Sequence, residues 1–160
     1  MEFIDCIGGL GGGLYIWASQ KLILVMLNKI IFQNCTGTFG GGMYMALSDI
    51  SINIQITGEL SFDNCSCTYY GGGMYITLSD IDTDVQITGE LSFDNYSSAI
   101  LGGGIYVSSS GSQLSFENKI QFIDCSSQNS GGGLYVDCYD EGTIRRSNLC
   151  LDAKWWYINY

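Results

Sequence analysis

Three carboxylates, Asp80, Asp82 and Asp84, stand at alternate positions. On a strand they would share one outer face and offer the oxygen ligands that calcium accepts. The equivalent positions one repeat earlier are Asp49, Ser51 and Asn53, so no shared site is evident and a solvated face is expected. Seven cysteines are the second source of chemistry, and Cys6, Cys35, Cys65 and Cys125 occupy one recurring position. Stacked at that position, Cys6, Cys35 and Cys65 form a candidate disulfide ladder, with Cys6–Cys35 or Cys35–Cys65 within bridging range. Cys125 has Tyr96 as its neighbour, and the odd total leaves at least one thiol outside any pairing within the monomer. Export would favour the disulfides and a cytosolic chain would keep thiols. Histidine is absent, and Cys65-Ser66-Cys67 is a lone short spacing, so neither a metal nor another cofactor is expected.

Aromatic residues recur with the same regularity. Tyr15, Tyr44, Tyr75, Tyr106 and Tyr135 each follow a glycine triplet and one apolar residue. Strand alternation sets them opposite the core, as an outward stripe with two readings. Either the rings stack on one another, or they form an adhesive face for glycan, protein or a second solenoid. Phe3, Phe32, Phe62, Phe93 and Phe122 precede the triplets and read as a stacked core ladder. Two residues further on stand Asp5, Asn34, Asn64, Asn95 and Asp124, which alternation with Phe places inward at a corner. Stacked amides there would bond along the stack. Asn34-Cys35-Thr36, Asn64-Cys65-Ser66 and Asn95-Tyr96-Ser97 also read as glycosylation sequons. An inward amide could not be modified, and glycans one strand apart would collide, so the structural ladder is favoured.

The elements that position these residues follow from the triplets, at Gly11–Gly13, Gly40–Gly42, Gly71–Gly73, Gly102–Gly104 and Gly131–Gly133, spaced 29, 31, 31 and 29 residues apart. A fixed period of this size marks stacked repeats. In the third unit Met74, Ile76 and Leu78 share one strand face and Tyr75 and Thr77 the other. A second alternating run covers Ile81 to Thr88, and a third covers Leu91 to Asn95. No helical period appears. Three strands and three turns per repeat predict an all-β fold, a right-handed single-stranded parallel β-helix of about four to five coils. A propeller would need four antiparallel strands per blade. The glycines open a strand rather than a helix and no Lys follows, which excludes a phosphate cradle. Residues 1–138 are the repeat region, and Met1 leading directly into a unit suggests a fragment of a longer stack. Residues 139–160, with Arg145-Arg146 and Trp155-Trp156-Tyr157, fall outside the motif and read as a cap or the start of another segment.

The paired Phe and Gly-Gly motifs resemble the repeats of chlamydial-type polymorphic outer membrane proteins. Those carry Phe-x-x-Asn and Gly-Gly-Ala-(Ile/Leu/Val), often followed by Tyr. Here the second motif reads Gly12-Gly13-Leu14-Tyr15, Gly41-Gly42-Met43-Tyr44, Gly72-Gly73-Met74-Tyr75, Gly103-Gly104-Ile105-Tyr106 and Gly132-Gly133-Leu134-Tyr135. The family's Ala corresponds to the third glycine of each triplet. The first motif departs from the family: its fourth position holds Cys6, Cys35, Cys65, Tyr96 and Cys125, with Asn or Asp one residue earlier. The resemblance implies an exported, surface-displayed β-helical stalk or passenger that works in adhesion, with a host or neighbouring-cell glycan or protein as partner.

Charge and composition set the remaining bounds. A net charge of −10 with six basic residues provides no basic stripe, so nucleic acid is not an expected partner. Leu22-Ile23-Leu24-Val25-Met26-Leu27 is too short to cross a bilayer and reads as a buried or two-faced strand. End-to-end or lateral self-association is a further expectation of an open stack. The alternative function is a polysaccharide-acting, pectin-lyase-like enzyme or a carbohydrate-binding module. An enzyme of that kind needs clustered carboxylates with a proton donor. The acidic residues here change from coil to coil, so a non-enzymatic chain is expected.

Overall fold

The computed structural model describes residues 1–49, 51–80, 83–95, 97–98, 100–139, 143–146 and 156–159. Regular structure among them is entirely strand. The first coil holds β1 (Glu2–Ile4), β2 (Leu14–Ala18) and β3 (Leu22–Met26). The second holds β4 (Ile30–Gln33), β5 (Thr36–Gly37), β6 (Met43–Leu47) and β7 (Ile52–Ile56). The third holds β8 (Leu60–Asp63), β9 (Ser66–Cys67), β10 (Met74–Leu78) and β11 (Asp84–Ile87). The fourth holds β12 (Leu91–Asp94), β13 (Ser97–Ser98), β14 (Ile105–Ser110) and β15 (Gln113–Phe116). Then come β16 (Ile120–Ile123), β17 (Ser126–Ser127), β18 (Leu134–Tyr139), β19 (Thr143–Arg146) and β20 (Trp156–Asn159).

Every strand pairs in parallel with its equivalent one coil away, which makes a β-solenoid of about four turns. Identical residues meet in register, as Tyr44↔Tyr75 and Phe62↔Phe93 do. The sheets number four rather than the three expected per coil. The extra one joins β5, β9, β13 and β17. Two-residue strands are too short to produce an alternating pattern, which is why the sequence hides them. Residues 143–146 and 156–159 add two further strands. Thr143–Arg146 pairs with Gln113–Phe116, and Trp156-Tyr157-Ile158-Asn159 lies in register on Leu134-Tyr135-Val136-Asp137. Two tail strands thus continue the stack, although no glycine triplet introduces them.

The inner face of each long strand forms one apolar core. Met43, Met45 and Leu47 are buried, as are Ile52, Ile54 and Ile56. The five phenylalanines stack with centroid distances of 5.0, 4.7, 4.7 and 5.1 Å. Burying a ring of this kind contributes roughly 2–3 kcal/mol over leaving it exposed. The first coil lacks a neighbour on one side, so Leu14, Ile16, Leu22 and Leu24 are only half-buried.

The three glycines of a triplet recur for three different reasons. The first takes a left-handed backbone, with φ of +58° at Gly40 and +68° at Gly71. At the second, coils touch backbone to backbone: a Cβ on Gly41 would lie 2.2 Å from the Gly72 carbonyl oxygen. At the third, a Cβ on Gly104 would lie 2.5 Å from Cε1 of Phe122. The Phe ladder therefore occupies the space that an alanine would need there.

Candidate functional site

The tyrosine ladder lies on the outer face of the sheet β2-β6-β10-β14-β18-β20. Strand alternation puts it there, because Met74 and Ile76 on either side of Tyr75 fill the core. The rings stack face to face along the solenoid. Tyr44–Tyr75 centroids are 4.9 Å apart at 4°, and Tyr75–Tyr106 are 5.0 Å apart at 9°. Tyr106–Tyr135 follow at 5.4 Å and 6°. Tyr15 tilts by 40° against Tyr44.

Exposure is graded along the ladder. Tyr15 is 50% exposed, Tyr44 and Tyr75 are half-buried, and Tyr106 and Tyr135 are buried at 8% and 9%. The expectation of five outward rings as a continuous surface stripe is corrected accordingly. Between stacked rings the π-faces are already occupied, so ring edges and hydroxyls are what the ladder presents. Burial pushes the Tyr75 hydroxyl up to about 12, with the neighbouring Tyr44 and Tyr70 adding to the shift. Tyr44 and Tyr106 shift upward for the same leading reason. Burial thus favours the neutral phenol at Tyr44, Tyr75 and Tyr106.

A second aromatic row covers its flank and escapes a search for triplets. The residue before each triplet is Leu10, Phe39, Tyr70, Leu101 or Ser130. Phe39 meets Tyr75 edge-on at 5.5 Å, and Tyr70 stacks on Tyr106 at 4.9 Å. Tyr69 stacks on Phe39 at 5.3 Å and remains 43% exposed. The available signal was the apolar or aromatic character of that column in four of five repeats.

The Asn/Asp ladder forms as expected but points the other way. Asn34 Nδ2 donates to Asp5 Oδ1 at 2.9 Å, Asn64 Nδ2 to Asn34 Oδ1 at 2.8 Å, and Asn95 Nδ2 to Asn64 Oδ1 at 3.3 Å. All five members are exposed, not inward. Each has a left-handed backbone, with φ of 53°, 52°, 48°, 58° and 49° from Asp5 to Asp124. That kink interrupts strand alternation, turns the side chain out and, after Asp5, Asn34, Asn64 and Asp124, turns the next residue in. The sequon asparagines are therefore accessible, although each Nδ2 already serves the ladder.

The residue turned in is the cysteine. Cys35 and Cys65 are buried, and Cys6 and Cys125 are half-buried. All four are thiols, so the disulfide option is not the one this structure takes. Cys35 Sγ donates to the Phe3 and Gln33 carbonyl oxygens at 3.4 and 3.5 Å. Desolvation pushes the Cys35 thiol up to about 11, against a lowering contribution from the Cys6 backbone. A thiol held protonated is a poor nucleophile.

Asp82 lies outside the described residues. Asp84 accepts from Gln86 Nε2 at 2.8 Å and sits in register between Asn53 and Gln113. Among the described residues no three His, Cys, Asp or Glu side chains converge closely enough to hold a metal ion. No described helix is long and apolar enough to cross a membrane. Compared with protein families, curated proteins and solved structures, the chain matches none.

Proposed function

We propose that this chain is a non-enzymatic β-solenoid scaffold, a stalk or passenger segment displayed at the cell surface and working in adhesion. One observation carries the reading: its Tyr and Asn columns, like its inward Phe column, are filled by like residues that satisfy one another. Tyrosine stacks on tyrosine, and asparagine bonds to asparagine. A catalytic site needs unlike groups converging on one point. A uniform column gives each coil the same neighbour instead, which is what a long scaffold requires. Surface display and adhesion draw their support from the resemblance of the paired Phe and Gly-Gly motifs to polymorphic outer membrane protein repeats. That resemblance is qualified at the third glycine, where Phe122 leaves Gly104 no room for the family's Ala.

A glycan or protein of a neighbouring cell would meet the exposed aromatics at the edge of the ladder, Tyr15 and Tyr69, rather than its stacked middle. Binding to glycan arrays and cell surfaces, measured beside thermal unfolding, tests this. Tyr69→Ala should weaken binding and leave Tm nearly unchanged. Tyr106→Ala should lower Tm by about 5–15 °C, from a loss of about 3–5 kcal/mol, and spare binding in the protein that remains folded. Release of new chain ends from any polysaccharide by the purified chain would sink the scaffold reading.

A further inference from the structure

The sequons Asn34-Cys35-Thr36, Asn64-Cys65-Ser66 and Asn95-Tyr96-Ser97 meet in one column. It runs along the corner between β4 and β5 and the equivalent corners of the next two coils. Each kink turns its asparagine out to solvent, which removes the obstacle that an inward amide would pose. The ladder draws one N–H from each Nδ2, towards Asp5, Asn34 and Asn64 in turn. A primary amide has two. In a column of amides repeated by translation, the N–H that reaches the next oxygen is the one opposite its own C=O, as along a backbone ladder. An N-glycosidic bond makes Nδ2 a secondary amide, which takes the trans form and keeps that opposite N–H. The sugar therefore replaces the other hydrogen, and the ladder bond survives. Spacing sets the remaining limit. Glycans on neighbouring coils would stand one strand spacing apart, about 4.8 Å, which is less than the width of a branched glycan. Two coils apart the separation is about 10 Å. Asn34 and Asn95 are two coils apart, with Asn64 between them.

We infer that Asn34 and Asn95 are N-glycosylation sites used together, with Asn64 left bare between them. Export, as in the surface-display reading on which this rests, is what brings a chain to the lipid-linked oligosaccharide that donates the sugar. In the transfer a bond forms between Nδ2 and the anomeric carbon C1. The bond from C1 to the pyrophosphate oxygen of the lipid breaks, and the lipid pyrophosphate leaves. The displaced amide proton passes to a base of the transferase. Transfer takes place on the extended chain, so stacking decides which glycoforms fold. A chain with sugars on Asn34 and Asn95 closes its coils with every ladder bond in place. A chain with sugars on Asn64 and a neighbour does not.

Secretion of the full chain from a eukaryotic host, behind a leader that is cleaved off, tests the inference and supplies the compartment itself. Glycopeptide mapping of the wild-type chain should find sugar on Asn34 and Asn95 and none on Asn64. Any other pattern, from no sugar at all to a glycan on Asn64, would overturn it. T36A/S97A removes both sequons, keeps every ladder amide, and should carry a single glycan on Asn64. A bare Asn64 in that variant would show that the column excludes sugar for a reason other than spacing, and would overturn it too. Trimmed to one sugar per site, the wild-type chain should melt no lower than the same chain made without sugar in a bacterial cytoplasm. A Tm lower by about 4 °C or more, the loss expected if sugar displaced the ladder bonds, would contradict the retained N–H. A chain secreted without sugar removes the site and leaves the adhesion reading, which Tyr69→Ala tests, where it was.

Discussion

At the scale of the residue, a recurring side chain is explained by what the neighbouring coil packs against it. Gly104 illustrates this, because Phe122 and the Gly133 carbonyl oxygen fill the space where a Cβ would go. Gly104→Ala should destabilise the fold by about 1–3 kcal/mol in urea unfolding. Gly9 has nothing within 4 Å of an added Cβ, so Gly9→Ala should stay within about 0.5 kcal/mol of wild type. Equal effects at the two sites would contradict the packing account. At Asn64, φ of 48° and bonds within the amide ladder act together. Asn64→Ala loses both and should lose about 1–3 kcal/mol, more than Asn64→Gly, which keeps the backbone freedom. Alkaline pH probes the ladders directly. Tyr75 rises from 10.0 to about 12, so above pH 10 the unfolded chain releases a proton that the folded chain retains. Cys35 behaves likewise between 9.0 and about 11. Stability should therefore fall as pH rises across these windows, with tyrosinate absorbance growing in step with loss of structure. Full tyrosine titration before any unfolding would contradict the buried ladder. The glycine recurrence is legible in the sequence, but its three causes are not, since one is a left-handed dihedral and the others depend on the Gly72 carbonyl beside Gly41 and the Phe122 ring beside Gly104.

At the scale of the element, the long strands are legible because alternation survives in them. Met74-Tyr75-Ile76-Thr77-Leu78 reads apolar, outward, apolar, outward, apolar, and the burial follows that order. Alternation fails where the backbone kinks. Asn34 and its equivalents turn outward because a left-handed residue shifts the phase by one, and no period-two reading detects that change. The tail strand Trp156–Asn159 carries the same apolar–Tyr–apolar signal as Leu134–Asp137 and was obscured only by the missing triplet. The Phe ladder should show its end effect in energies. Phe93 is buried between Phe62 and Phe122, whereas Phe3 stacks on Phe32 alone among the ladder rings and is half-buried. Phe93→Ala should lose about 3–5 kcal/mol and Phe3→Ala clearly less. Denaturant melts that ranked Phe3 above Phe93 would place the open end elsewhere.

At the scale of the whole molecule, the central claim is that the chain is a stack of interchangeable coils whose ladders hold it together. A site assembled from several different coils would not survive the loss of one, whereas a scaffold would simply become shorter. Val85-Gln86-Ile87-Thr88-Gly89 repeats Ile54-Gln55-Ile56-Thr57-Gly58 in register, so removing residues 58–88 joins Thr57 to Gly89 with every ladder intact. The most direct measurement is urea unfolding of that one-coil deletion, followed by circular dichroism. The account predicts a folded β protein with a single cooperative transition and an m-value lower by roughly a fifth, because one coil less surface is exposed on unfolding. A deleted chain with no cooperative transition would contradict it, since coils that cannot be interchanged are not the units of this fold.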